Sequence, residues 1–345
     1  MEKLKSVLLE YLETKYNVSP LVKDLTNNLL EQLEKGSICL KIDKPLEKEE
    51  LKASCVAGRD DTSLRPLIFD GENLYIQRYF IYQARILKKI DELEKAKKLH
   101  IITGGPGTGK TTSLAGILKN RLNENILIAA PTGKAALRMK ESLEKQGIKL
   151  EAKTLHRLLG FINLSVNFRH TKENPLIADL IAIDECSMVD LPMMSKLLEA
   201  VPEGCDLYLL GDKNQLASVE AGSVFADICE KYKANPNVYK ELVKNWRAIE
   251  APGIVKLSSE ILEGRAEIFE NENVIYCGEL SFESLLDEYS GLFNAANEEE
   301  ALQFLGTFQT LCAVKNGRNG TENINKELLR KSKELKSRYG EGIVL

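Results

Sequence analysis

The chemically most specific feature of the sequence is a glycine-rich segment, GGPGTGKTT, at residues 104–112. Its spacing fits a phosphate-binding loop, in which glycines let backbone N–H groups turn inward around phosphate oxygens. Lys110 should reach the β- and γ-phosphates of a nucleotide, and the Thr111 hydroxyl should bind a magnesium ion. An apolar run ends at residue 103 and a helical pattern begins near 110, so the segment lies between a strand and a helix. We therefore expect ATP and Mg²⁺ here and not an empty glycine turn, with nucleotide contacts from Gly105, Pro106, Gly107, Thr108, Gly109, Lys110, Thr111 and Thr112.

Two adjacent carboxylates follow another apolar run, in the string LIAIDECSMVD. A carboxylate at a strand end beside a phosphate loop can hold magnesium through water, which predicts that role for Asp184 together with Thr111. The next residue, Glu185, could polarise the attacking water as a general base. Farther along, Gln215 in LLGDKNQL could hydrogen-bond the γ-phosphate and report its loss. The alternatives are a solvated acidic strand end for the pair and an ordinary turn at G-D-K-N for the last string.

The elements that would position these residues alternate between strands and helices from 74 to about 234. Apolar runs without polar alternation are typical of parallel strands that are buried on both faces. The sequence contains four such runs, at 99–103, 126–130, 180–184 and 207–212. Helical segments are predicted between them, at 110–122, 133–146 and 192–200. This alternation predicts an α/β fold with a doubly wound parallel sheet.

Three domains are expected along the chain. Residues 1–72 carry apolar positions at helical spacing and indicate a small N-terminal helical domain. The α/β domain would cover 73–234 and include the phosphate loop. A second α/β unit would cover 235–345, with strands at 238–243, 273–277 and 308–314 and helices at 253–263, 281–293 and 322–337.

The composition is that of a globular protein without an unusual charge. The net charge of −4, from 47 basic and 51 acidic residues, gives no global basic field for nucleic acid, although a local basic groove can exist on an acidic protein. The seven cysteines include no C-x-x-C pair, which indicates reduced thiols and not a disulfide or zinc framework. The N-terminus lacks a signal-peptide core, and no apolar run reaches the roughly 20 residues of a membrane span. We expect a cytoplasmic protein without a membrane partner.

Several strings together resemble the RecD family of superfamily 1B DNA helicases, which includes the α subunit of exodeoxyribonuclease V. The phosphate loop is followed, in the family's order and spacing, by APTGKAALRM, TLHRLLG, IDECSMVD and LLGDKNQLASVEAG. Further similar strings extend toward both ends of the chain, at GSICLKI, NLYIQRYF, KNWR and LCAVKNGRNGTENIN. The resemblance implies a RecA-like P-loop motor domain, preceded by a partner-binding helical domain and followed by part of a second RecA-like domain.

The resemblance also implies roles for individual residues. Gln83 lies where a Gln or Glu of the family commonly meets the adenine, and Arg247 matches an arginine that reaches the γ-phosphate from the second motor domain. Single-stranded DNA would contact two strings, through Pro131, Thr132, Lys134, Ala135, His156 and Arg157. Gln83, Lys134, Arg157 and Arg247 could instead be ordinary surface groups. Trp246 is expected to be a core residue, and the alternative is a base-stacking platform.

In the family, these parts make an ATP-dependent motor that moves 5′ to 3′ on single-stranded DNA in double-strand break repair and recombination, with RecB- and RecC-like partners. Two strings that the family carries near its C-terminus, T-x-H-K-S-Q-G and T-A-x-T-R-A, do not occur here. We therefore expect a C-terminally truncated member that is weak or inactive alone, and the alternative function is an ATP-binding regulatory subunit. A small-molecule kinase with a P-loop would not be expected to carry APTGKAA and GDKNQL together.

Overall fold

The computed structural model describes residues 2–54, 56–58, 60, 65–215, 222, 224–246, 252–265, 273–276, 278 and 282–339. The chain forms two compact units, Met1–Ala251 and Pro252–Leu345. The first unit contains a small N-terminal part and a larger α/β part. The second unit is helical over most of its described residues.

The N-terminal part combines three helices with a four-stranded sheet. The helices are α1 (Glu2–Tyr16), α2 (Pro20–Glu34) and α3 (Pro45–Ala53). The strands are β1 (Cys39–Lys41), β2 (Ala57–Gly58), β3 (Leu67–Phe69) and β4 (Asn73–Ile76), in the order β1-β4-β3-β2. The helical prediction for 1–72 missed β1, β2 and β3, because strands of two or three residues are too short to give a periodic signal.

A six-stranded parallel sheet is the centre of the α/β part. Its order is β10-β5-β9-β8-β6-β7, and every pairing is parallel. The strands are β5 (Leu99–Gly104), β6 (Ile126–Ala130), β7 (Ala152–Thr154), β8 (Leu180–Ile183), β9 (Asp206–Gly211) and β10 (Tyr239–Leu242). Since all strands run the same way, their carboxyl ends meet at one edge, where open α/β sheets bind ligands.

Helices cover both faces of this sheet. They are α4 (Gln77–Lys95), α5 (Lys110–Leu118), α6 (Gly133–Glu144), α7 (Leu155–Leu159), α8 (Leu191–Ala200) and α9 (Val224–Tyr232). Neighbouring strand residues enter opposite cores: Ile101 packs with the α8 and α9 side, and Ile102 packs with α5 and α6. Burial on both faces explains the unbroken apolar runs, and the predicted strands and helices of this part are confirmed.

Strand β10 belongs to the first sheet, which corrects its assignment to the second α/β unit. It pairs in parallel with β5, from Tyr239 beside Ile101 to Leu242 beside Gly104. A local apolar pattern can indicate a strand, but it does not say which sheet the strand joins. As a result, β10 lies directly beside the strand that carries the phosphate loop.

The second unit contains five helices in its described residues. They are α10 (Pro252–Leu262), α11 (Phe282–Glu288), α12 (Ser290–Phe293), α13 (Glu298–Thr307) and α14 (Thr321–Tyr339). All but α13 lie close to the predicted helices, and α13 was not predicted. The predicted strands are not formed where this unit is described: 308–314 has none, and 273–276 has one bridging residue, Val274. Phe308 and Thr310 instead contact Tyr289, with ring centroids 5.0 Å apart and hydroxyl oxygens 3.2 Å apart. The second RecA-like domain and the domain limits at 72 and 234 stay predictions.

A charged network joins the amino ends of β5 and β9. The carboxylate of Asp206, on a residue only 7% exposed, contacts three cationic or basic groups. It accepts hydrogen bonds from Lys98 Nζ at 3.1 Å and Arg121 Nη2 at 2.9 Å, and its other oxygen lies 3.3 Å from His100 Nε2. Burial alone would raise the pKa of Asp206, but these contacts outweigh it and lower the pKa below its ordinary value. The network therefore contributes most to stability while Asp206 is ionised.

We expect Asp206→Asn to lower the free energy of unfolding by about 1.5–3 kcal/mol near neutral pH, because the variant loses hydrogen bonds to a charged group. A carboxyl whose pKa is lower in the folded state stabilises the fold above its unfolded pKa, and this stabilisation is lost as the pH falls through the folded pKa. The difference in free energy of unfolding between wild type and variant should therefore disappear as the pH falls below about 4. Urea unfolding across this range measures it, and Asp43→Asn, at an exposed ion pair with Lys41, is the control. Equal stability of the two variants would contradict the prediction.

Candidate nucleotide site

The glycine-rich loop connects β5 to α5, and its shape depends on glycine at three positions. Gly107 and Gly109 have φ angles of 77° and 82°, in the left-handed region that glycine adopts without strain. Gly104 lies close to β10: a Cβ there would be 2.6 Å from both the Leu242 carbonyl oxygen and Thr108 Oγ1. The loop is thus folded tightly against its neighbouring strand.

Lys110 is the first residue of α5, and its side chain turns back into the loop. Its Nζ donates hydrogen bonds to the carbonyl oxygens of Gly104 at 2.6 Å and Gly105 at 3.2 Å. The ammonium therefore lies at the amino end of the helix, where backbone N–H groups and the helix dipole already favour anions. Charge-assisted bonds to phosphate are stronger than bonds to neutral carbonyls, so a nucleotide phosphate can replace these partners.

Thr111 and Asp184 bring two oxygen atoms together between α5 and the end of β8. The Thr111 hydroxyl donates to Asp184 Oδ2 at 3.3 Å. Burial raises the pKa of Asp184, against the opposing effects of the Glu185 N–H and the Lys110 ammonium. A hydroxyl and a carboxylate suit Mg²⁺, which prefers oxygen ligands and keeps several waters. The described residues contain no cluster of three or more His, Cys, Asp or Glu that could hold a metal, so phosphate and water would supply the other ligands.

Glu185 combines an unusual backbone with a buried carboxylate oxygen. Its φ of 55° is in the left-handed region, which is strained for a residue with a side chain. Its Oε2 is buried and makes no hydrogen bond. Burial, and then the charge of Asp184, raise the pKa of Glu185. Strain and an unpaired buried oxygen both cost free energy, and both fit a group that acts on a ligand.

Gln215 lies beyond the end of β9 and contacts the turn after Glu185. Ser187 Oγ donates to Gln215 Oε1 at 3.2 Å. The backbone N–H of Lys213 donates to Thr103 Oγ1 at 3.3 Å, which fastens this loop to the end of β5. The structure therefore places Gln215 beside the turn that follows the carboxylate pair, and its contact with the γ-phosphate stays a prediction. Sequence reasoning did not single out Ser187, although it stands in the IDECSMVD string.

Trp246 lies against the phosphate loop at Gly107 and Gly109. Its prediction as a core residue is wrong. Its side chain is 54% exposed, and its backbone N–H donates to the Gly107 carbonyl oxygen at 3.0 Å. Lys244 Nζ lies 3.6 Å from the centroid of its ring. The sequence feature that could have indicated this position is the KNWR string, which resembles a string of the helicase family. Arg247, the predicted γ-phosphate arginine, lies outside the described residues.

Gln83 was predicted to meet the adenine of the nucleotide. It lies in the middle of α4 and is half-buried. Among the described residues, its amide makes no hydrogen bond to the phosphate loop. Its role at the adenine stays a prediction.

The two strings predicted to contact DNA lie side by side. They follow β6 and β7, which are neighbours in the sheet, with Ala130 beside Thr154. Thr132 caps α6 by accepting from the Ala135 N–H at 3.2 Å, and Thr154 caps α7 by accepting from the Arg157 N–H at 3.3 Å. The side chains of Lys134, His156 and Arg157 are exposed. The structure therefore collects these residues on one accessible edge of the sheet.

Comparison with known proteins supports a helicase relationship. A family model described as an AAA domain matches residues 88–221. The RecBCD enzyme subunit RecD of Mycolicibacterium smegmatis is 37% identical over 67% of this chain and 47% of its own length. The RecD subunit of Haemophilus influenzae is 33% identical over 68% of this chain and 49% of its own length. The ATP-dependent RecD2 DNA helicase of Deinococcus radiodurans is 30% identical over 71% of this chain and 32% of its own length.

The chain spans about half the length of the first two of these relatives. A solved structure of Bacteroides Pif1 bound to single-stranded DNA aligns with 61% of this chain and 56% of its own, at 20% identity and a TM-score of 0.34. Among the described helices, none is both long enough and apolar enough to cross a membrane. By its sequence, the chain is similar to the RecD subunits of the RecBCD enzyme, and residues 88–221 match an AAA domain.

Proposed function

We propose that this chain hydrolyses ATP with Mg²⁺ and uses the energy to move 5′ to 3′ on single-stranded DNA, as a helicase subunit in double-strand break repair and recombination. The observation that carries the proposal is the convergence of Lys110, Thr111 and Asp184 at one edge of the sheet, beside a buried, unpaired oxygen of Glu185. A glycine-rich loop can bind phosphate without an unpaired carboxylate oxygen beside it. An unpaired carboxylate oxygen favours a general base, because its lone pairs are free to accept a proton.

Each residue of the site has a proposed task. The loop N–H groups and Lys110 hold the β- and γ-phosphates, and Thr111 and Asp184 hold Mg²⁺, which neutralises charge on those phosphates. Glu185 accepts a proton from the attacking water, and Gln215 senses the γ-phosphate through a loop fastened to β5. Gln83 at the adenine and Arg247 at the γ-phosphate complete the proposed set.

Single-stranded DNA is proposed to cross the edge formed by the starts of α6 and α7. The contacts would come from Pro131, Thr132, Lys134, Ala135, His156 and Arg157. The pairing of β6 with β7 supports this proposal, because it brings both strings within reach of one strand of DNA. Movement would follow if nucleotide hydrolysis at β5 and β8 changed the grip at this neighbouring edge.

The N-terminal part is proposed to bind RecB- and RecC-like subunits in the cytoplasm. Two relatives are RecBCD subunits by name. Helix α1 presents Val7 and Tyr11 to solvent at 57% and 43% exposure, which gives a partner apolar surface. The proposed domain limits remain 1–72, 73–234 and 235–345.

The proposed function predicts that single-stranded DNA raises the ATP turnover of the purified chain. The DNA contacts follow β6 and β7, and β6 pairs with β8, whose end carries Asp184, so occupancy of one site should change the other. A phosphate-release assay with and without oligothymidylate measures the effect. ATP turnover that ignores DNA would support an ATP-binding regulatory subunit instead, and an absence of ATP binding would remove both functions.

Replacing Lys134 and Arg157 together with Ala should weaken oligonucleotide binding and flatten its dependence on salt. Each lost phosphate contact on single strands lowers the slope of log affinity against log salt by about 0.7, so the pair should lower it by about 1.4. Fluorescence anisotropy over a salt series measures the slope. The control replaces two exposed lysines on other helices, Lys88 and Lys119. An unchanged slope in the first variant would place the DNA elsewhere.

A further inference from the structure

A groove that extends beyond the proposed DNA contacts runs between α6 and β7, the edge strand of the parallel sheet. It encloses about 330 Å³, and its lining includes Leu137, Lys140, Glu151, Ala152, Lys153 and Arg157. Arg157 belongs to the proposed DNA edge, so the groove is continuous with it. Helix α6 rises about 1.5 Å per residue, so Lys140 lies roughly 10 Å along the helix from its first residue. The groove extends over this length.

The groove is rich in positive charge from three different elements. Lys140 comes from α6, Lys153 from β7 and Arg157 from α7, against the single lining carboxylate of Glu151. Such an excess is notable on a chain whose net charge is −4. It gives the groove the local basic character that a polyanion requires.

The two lysines are weakly held by their present partners. Lys153 Nζ is 3.7 Å from Glu151, and Lys140 Nζ is 3.8 Å from Glu144. All four side chains are at least 41% exposed, and exposed pairs of this kind contribute little to stability. Both ammonium groups can therefore exchange a carboxylate for a phosphate at little cost.

The groove also has an apolar wall. Leu137 is 56% exposed and stands one helical turn before Lys140, with Ala152 on the facing strand. An exposed apolar side chain between cations suits a strand of unpaired nucleotides, which offers base faces and phosphates in alternation. A duplex keeps its base faces stacked and would leave this wall unused.

We propose that the groove binds a further stretch of single-stranded nucleic acid, with Lys140 and Lys153 at phosphates and Leu137 against a base. This inference rests on the proposed DNA function and lengthens its path beyond the strings that first indicated it. Glu151 opposes binding, because it competes for Lys153 and repels phosphate. The groove therefore contains two lysines that favour binding of the nucleic-acid strand and one glutamate that lowers its affinity.

The experiment measures binding of fluorescent oligothymidylate by anisotropy over a salt series. Lys140→Gln with Lys153→Gln should lower affinity and lower the salt slope by about 1.4, for two lost phosphates. Glu151→Gln should act in the opposite direction and raise affinity. The matched control is Lys145→Gln with Lys149→Gln, which removes the same charge from exposed lysines that do not line the groove. Thermal unfolding of each variant should match wild type, since the ion pairs of the substituted lysines are exposed to solvent and weak.

The outcomes separate this inference from the proposed function. If the groove variant loses no more affinity and slope than the control, or if Glu151→Gln weakens binding, the groove does not hold the strand. In that case, loss of binding by the Lys134 and Arg157 variant would still support the proposed DNA edge. If the wild-type chain does not bind oligothymidylate at any salt, both the proposed function and this inference are wrong.

Discussion

Lys110→Ala is expected to reduce ATP turnover by about 10²–10³-fold, the effect of removing one fixed donor from charge that develops in a transition state. The side chain already lies inside the loop, bonded to the carbonyls of Gly104 and Gly105, so it needs no large movement to meet phosphate. The glycine backbone and the helix dipole remain in the variant, so nucleotide affinity should fall less than turnover. A steady-state assay and a titration with a fluorescent ATP analogue measure the two quantities.

The matched control for this prediction is Lys119→Ala, at the exposed carboxyl end of the same helix. It removes the same charge from α5 and should leave turnover near that of wild type. Thermal unfolding of both variants shows whether the fold is retained. Wild-type turnover in Lys110→Ala would mean that this loop is not the catalytic nucleotide site.

The centre of the fold and of the site could be predicted because both depend on local sequence. A buried parallel strand must be apolar on both faces, so β5, β6, β8 and β9 are visible as uninterrupted apolar runs. The phosphate loop needs glycine at particular positions, and the φ angles of Gly107 and Gly109 show why. Asp184 was recognisable for a similar reason, as a carboxylate directly after such a run.

The features that sequence reasoning missed depend on contacts between distant segments. Strand β10 joins β5 by backbone hydrogen bonds, which any residue except proline can make. The residue types of β10 therefore do not specify which sheet it joins. Trp246 is held over the loop by its own backbone N–H, and its apolar ring suggested burial instead. The groove between α6 and β7 exists because two separate elements pack side by side, and neither Lys140 nor Lys153 stands in a string that indicates it.

Replacing Glu185 with Gln gives the sharpest test of the proposed hydrolysis, because Glu185 has a strained backbone and a buried, unpaired carboxylate oxygen. Glu185→Gln keeps the size of the side chain and the backbone but removes the ability to accept a proton from water. A positioned general base contributes about 10²–10⁴-fold, so turnover should fall by that factor. Lys110, Thr111 and Asp184 are untouched, so nucleotide affinity should stay close to wild type. Loss of kcat without loss of binding is the signature of a group that acts in the transition state.

Single-turnover hydrolysis and equilibrium binding of ATP separate these two quantities for Glu185→Gln. The control is Glu203→Gln, in an exposed turn of the same unit, which should hydrolyse ATP at the wild-type rate. The variant should also be at least as stable as wild type, because a neutral amide is less costly than a carboxylate whose Oε2 is buried without a partner. A stable variant that still hydrolyses ATP at full rate would show that water is activated by another group, and the strained backbone at Glu185 would then need a structural explanation.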